Sequence, residues 1–209
     1  VDALLGAFAF GCCFYLATIW CERVARRDPR KVGLGAQALR VSLCSAAALV
    51  GGILISHDAP PATIFGIAIL CVALGTTCFL ATLGRPVPIA IPAAALAILA
   101  GAALTLGDCG PLVSALATGT PFAIAAFFGR GKGGSDWRDA VVAALGGAAF
   151  GLQVGLVACI FAGVALALVR PYLARRRTRL QTQPQPPVRF SSALSGTFML
   201  ALVGQLAIS

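Results

Sequence analysis

The sequence predicts an all-α fold, a polytopic bundle of membrane helices, and three observations carry that prediction. Of the 209 residues, 59% are hydrophobic and 11% are charged, with a mean hydropathy of +0.92. A soluble domain is about 45–50% apolar and about 25% charged. Apolar runs of spanning length, about 20 residues for about 30 Å of hydrocarbon, recur along the chain. All 16 lysines and arginines gather between those runs or at their edges. In hydrocarbon each backbone polar group must find its partner within the protein, which favours helices. The composition excludes a soluble globule, a disordered chain and a disulfide scaffold.

The runs lie at 3–21, 38–56, 62–83, 87–106, 110–129 and 190–208. The first carries Asp2 near its start and its basic residues follow it, unlike a secretory signal. A further stretch, 140–169, holds thirty residues without a charge. The whole chain, 1–209, reads as a single membrane domain with three main cytoplasmic loops. These are a basic loop at 22–40, a glycine-rich loop at 130–139 and a basic, Pro/Gln-rich loop at 170–189.

Orientation follows from the basic residues. Arg23, Arg26, Arg27, Arg30, Lys31 and Arg40 belong to the first loop, and Arg85 to the turn after the third run. Arg130, Lys132 and Arg138 follow the fifth run, and six more arginines lie between 170 and 189. The opposite loops hold only His57, Asp58 and Asp108. Positive charge marks the cytoplasmic side, so the N-terminus lies outside. Because the loops flanking 140–169 are both basic, that stretch must cross an even number of times. A straight helix of this length would reach about 45 Å, too long for the core. A hairpin turning near Gly146–Gly151 fits better, although Gly147, Gly151, Gly155 and Gly163 form a small-residue stripe that favours a continuous helix. The charge bias outweighs the stripe. The count becomes eight membrane segments, one of them short, with both ends outside.

The net charge of +9 is explained by cytoplasmic loops and anionic lipid at their surface, and no nucleic-acid partner is expected. The eight cysteines fall mostly within apolar runs and form no C-x-x-C pair, so they read as buried free thiols. His57 is alone. No metal or cofactor is expected. A small-solute transporter would place charge within the spans; here the spans offer chiefly Gln153, Gln205, a few hydroxyls and cysteines.

Chemistry, if present, belongs at the glycine-rich loop. Gly129, Arg130, Gly131, Lys132, Gly133, Gly134 and Ser135 lead into Asp136, Trp137, Arg138 and Asp139 at the mouth of a helix. One reading is structural: Ser135 or Asp136 caps the helix, and Asp139 sits in its first turn at the positive end of the dipole. The other is catalytic. Glycines admit a peptide backbone, and an aspartate serves as half of a proton-sharing pair.

This stretch resembles the Gly-x-Gly-Asp region of type IV prepilin peptidases, membrane aspartyl proteases that cleave pilin leader peptides. The following run from Val141 to Gly151 is similar to the one after the family's motif. Gly11 to Trp20 resembles the first helix of the longer members, Leu83 to Pro88 their turn after the third helix, and Val188 to Leu194 the loop before their last helix. The likeness spans most of the chain. It implies a multi-pass protein of the bacterial inner membrane, a pilin-type leader peptide as possible substrate, and catalysis by paired acids.

The departures fall on the catalytic positions. The family's first aspartate lies seven residues before the turn proline, and counting back from Pro88 gives Ala81. No acid occurs from 59 to 107. At the second motif Ser135 replaces a glycine; in the other register Asp139 takes the catalytic place. Glu22, seven residues before Pro29, is the remaining acid that could act as first partner. The candidate catalytic residues are therefore Asp136, Asp139 and Glu22. Lys132 and Arg138 favour an ionised Asp136, which suits an ion pair. Losing one member of a unit removes about 10⁴ or more in rate. The expectation is a degenerate member of the family, non-catalytic, acting as a structural or accessory subunit beside other membrane proteins. An active but divergent peptidase is the alternative, and a small-solute transporter the second.

Overall fold

The computed structural model describes residues 2–25, 34–57, 60–82, 88–128, 136–180 and 190–208; within these, the side chains at 2–3, 21–22, 24–25, 34–36, 61–62, 82, 170–180, 192 and 206–208 are not described. The described residues form helices and turns without strands. The helices are α1 (Asp2–Ala25), α2 (Leu34–Ser56), α3 (Pro61–Thr82), α4 (Ala90–Leu106), α5 (Gly110–Phe128), α6 (Trp137–Leu180) and α7 (Phe190–Ile208). Four contain stretches long and apolar enough to cross a membrane: Gln37–Ser56, Thr63–Ala81, Gly110–Phe128 and Trp137–Val169. Leu4–Trp20, Ala90–Leu106 and Ala193–Gln205 are shorter apolar helices. Outward faces carry Phe8, Phe65, Leu104, Phe161 and Leu200, each more than 60% exposed, the pattern of a lipid-facing surface.

Helix α6 does not run straight. Gly151 stands at φ 80°, ψ 172°, a conformation essentially reserved for glycine. Four residues to either side, a Cβ on Gly155 would lie 3.2 Å from the Cα of Gly147. In an unbroken helix those residues would be about 12 Å apart. The chain therefore doubles back at Gly151, within the interval where the charge bias places a turn. The first leg, 137–150, measures about 21 Å and the second, 152–180, about 43 Å. The glycine stripe serves the bend rather than a continuous helix. Gly147 and Gly155 meet across it, Gly151 makes the corner, and Gly163 lies beyond it with open space around its Cβ position.

The bend is packed from inside by α5. Thr118 Oγ1 donates to Ala143 O at 2.9 Å, a bond between helices, and also to Ser114 O of its own helix at 2.8 Å. A Cβ on Gly147 would meet Ser114 O at 2.6 Å and would collide with Thr118 Oγ1. On the other side α7 closes in: a Cβ on Gly146 would fall on the Phe198 ring, which stacks on Phe150 at 5.6 Å. Val142, Leu145, Leu74, Leu194 and Phe198 are fully buried in this core. Small residues here let backbones approach, and large rings fill the gaps between them.

Two of the basic stretches are partly helical. α1 continues to Ala25 and α2 begins at Leu34, so Glu22, Arg23 and Arg40 of the 22–40 stretch are helical. Likewise α6 continues to Leu180, so Arg170, Arg175, Arg176, Arg177 and Arg179 of the 170–189 stretch ride on a helix. Long arginine stems let helices continue past the hydrocarbon edge. The reading of the cysteines as buried holds for Cys71 and Cys78; Cys12, Cys13 and Cys109 are exposed, and Cys44 and Cys159 are half-buried.

Candidate functional site

Asp136 is the N-cap of α6. Its carbonyl accepts from the N–H of Asp139 at 2.8 Å and of Ala140 at 3.4 Å, the first bonds of the helix. Asp139, three residues on, returns the bond: its Oδ2 accepts the Asp136 N–H at 2.9 Å. This is the return arm of a capping box, with aspartate in the place usually held by Glu or Gln. The Asp136 side chain turns outward and takes Arg138 Nη1 at 2.9 Å on Oδ2. With Asp136 53% exposed, that pair contributes little to stability. Asp139 is 5% exposed, in the buried start of α6 that also holds Ala140 and Val142. Both aspartates thus have structural employment at a helix N-terminus, where negative charge is favoured.

The expected partner position is apolar. Ala81 is 1% exposed in α3, in a cluster with Phe14, Leu43, Ala47, Phe79 and Leu80. Glu22 lies on the last turns of α1, and its side chain falls outside the described residues. The glycines and Lys132 of the 130–135 stretch, and the 83–87 turn with Arg85, also lie outside them. Among the described residues, no group of three His, Cys, Asp or Glu side chains gathers to hold a metal.

Arg40 is the residue that sequence reasoning missed. It belongs both to the 38–56 apolar run and to the basic loop, and that double membership was the available signal. Its guanidinium carbon lies 5.0 Å from the Phe79 ring centroid and 5.8 Å from that of Tyr15, a cation held between aromatic faces of α3 and α1. Four other buried hydroxyls, unlike that of Thr118, bond carbonyls of their own helices. Thr18 donates to Tyr15 O, Thr76 to Val72 O, Thr77 to Ala73 O and Ser195 to Ser191 O, all within 2.8 Å. Gln153 and Gln205 are exposed. The face of Gly147 and Gly155 is filled by Thr118 and Ser114 of this chain.

Comparison with protein-family models, with curated proteins and with solved structures found no match.

Proposed function

We propose that this chain is a prepilin-peptidase-like protein of a bacterial inner membrane whose aspartyl pair has degenerated, and that it acts as a non-catalytic subunit beside other membrane proteins. The observation that carries this reading is the employment of the two loop aspartates. Asp139 caps the Asp136 N–H, and Asp136 pairs with Arg138. A proton-sharing dyad needs two carboxyl groups facing each other and one common proton. Here one carboxylate is bonded to a guanidinium and the other to a backbone amide, and the two do not face each other across a shared proton. Ala81 adds a methyl group where the partner acid belongs.

The topology in this proposal has eight membrane segments and both ends outside. Its support is the distribution of the basic residues together with the bend at Gly151, which returns the chain toward the side it came from. Outward apolar faces and the basic edges suit neighbouring helices and anionic lipid. The active-peptidase alternative draws on one observation, the burial of Asp139, since buried acids are candidates for altered proton affinity.

The test is cleavage of a pilin-type leader peptide by the purified protein in detergent, alongside the Asp136→Ala and Asp139→Ala variants. No cleavage by any of the three is the expected result. Turnover by the unaltered protein that either substitution abolishes would replace the subunit reading with the enzyme. Co-purification in mild detergent then identifies the membrane proteins it accompanies.

A further inference from the structure

We propose that the thiols of Cys12 and Cys44 form a two-coordinate site for a soft monovalent metal ion, Cu(I) in class, in the open trough between α1 and α2. The proposal rests on the pairing of these two helices and not on the peptidase likeness, so a leader assay of either outcome leaves it standing.

The trough has a volume of about 450 Å³, and its lining includes Gly11, Cys12 and Tyr15 from α1 and Val41, Cys44 and Ser45 from α2. Cysteines of two helices therefore open on one space. The helix register brings them to one level. A Cβ on Gly6 would meet Ile55 and, at 3.2 Å, the carbonyl of Gly51. One on Gly11 would meet Ala48 Cβ at 3.4 Å and the carbonyl of Cys44 at 3.7 Å. As α1 advances from Gly6 to Gly11, its neighbours on α2 step back from Gly51 and Ile55 to Cys44 and Ala48. The helices are thus antiparallel, and Cys12, next after Gly11, stands beside the turn of α2 that carries Cys44. The two thiols are near enough that a charge on Cys12 acts on Cys44, as does the charge of Arg40 one turn earlier on α2. Both cysteines are free; Cys12 is exposed and Cys44 half-buried, so an ion reaches them from the open side of the trough.

The donor set selects the ion. Thiolate sulfur is soft and favours Cu(I), whereas calcium and magnesium take oxygen ligands. Zinc closes a structural site with four ligands, and among the described residues no third His, Cys, Asp or Glu joins these two. Each thiol gives up its proton as its sulfur binds, because the thiolate is the ligand. One Cu(I) between two thiolates carries a single negative charge. An isolated anion in an apolar setting is expensive, and the positive charge of Arg40 offsets it here. Cys13 and Cys109 are also exposed, but neither lines the trough, and each offers a single sulfur.

The test is a competition for Cu(I) under anaerobic, reducing conditions, using the purified full chain in mild detergent. Bicinchoninate is the competitor, at a strength that strips copper from single thiols. Retention of about one copper per chain is expected, with two sulfur neighbours in its X-ray absorption spectrum and no zinc held in a parallel run. Cys12→Ser and Cys44→Ser should each abolish retention, and Cys13→Ser and Cys109→Ser should leave it unchanged. No retained copper, retention that survives Cys12→Ser, or equal loss on Cys13→Ser each overturns the site. Because Cys12 is exposed, its replacement decides the matter even if Cys44→Ser fails to fold.

Discussion

Among the described residues two glycines turn the chain through positive φ, and they do so by different physics. Gly107 ends α4 at φ 70°, ψ 14°, an ordinary left-handed cap. Its N–H bonds Leu104 O at 3.2 Å, and the next N–H, of Asp108, bonds Ala103 O at 3.0 Å. This is the Schellman pairing, which satisfies the carbonyls left over at a helix end. Asp108 Oδ1 then accepts the Gly110 N–H at 2.9 Å and leads directly into α5. Gly151 has the same sign of φ but an extended ψ of 172°. Its reversal is held by what lies at a distance from it: Gly147 against Gly155, and Thr118 wedged beside both. One corner is stabilised locally by hydrogen bonds, the other remotely by close packing. The first can be recognised from a few residues; the second depends on three helices agreeing.

The sharpest way to break that contrast is Gly151→Ala. Nothing lies within 4 Å of the added Cβ, so any loss is backbone strain alone. A loss of about 1–3 kcal/mol is expected, read as a lower unfolding midpoint in an SDS titration of the purified protein. An unchanged midpoint would mean that the bend survives in a conformation open to other residues. At the other corner Gly107→Ala should cost roughly 1–2 kcal/mol, the penalty of a left-handed residue, whereas Gly107→Asn should cost only a few tenths because asparagine tolerates that conformation. If asparagine and alanine are equally harmful there, the two corners are alike after all. The smallest effect belongs to Thr118→Val, which keeps the volume that wedges the bend and loses the bond to Ala143 O. About 0.6 kcal/mol is expected in the same titration, the average for hydrogen bonds between membrane helices.

The same contrast explains what could be read in advance. Apolar runs bounded by Gly, Pro and charge announce their helices, and the 110–129 and 190–208 runs match α5 and α7 to within one residue. The reversal inside 140–169 was legible through charge, since both flanks are basic, and not through its glycines, whose spacing suits a straight stripe equally well. Where α1 and α2 begin and end was not legible, because arginines mark the water edge without ending a helix; Arg23 and Arg40 are both helical. The cap at Asp136 and Asp139 followed from local spacing, a matter of three residues and a helix start. The setting of Arg40 did not, because Tyr15 and Phe79 come from two other helices and meet it only in the folded bundle.

The brevity of the first leg of α6 reaches beyond the protein. Trp137, 42% exposed, opens that leg, and about 14 residues of helix climb only about 21 Å through a slab about 30 Å thick. If Trp137 sits at one membrane surface, as the proposed topology has it, the crest at Gly151 would lie roughly 9 Å short of the other. A short leg of this kind is accommodated by local thinning of the bilayer, at a fraction of a kcal/mol per Å of mismatch, or by the cover of neighbouring helices.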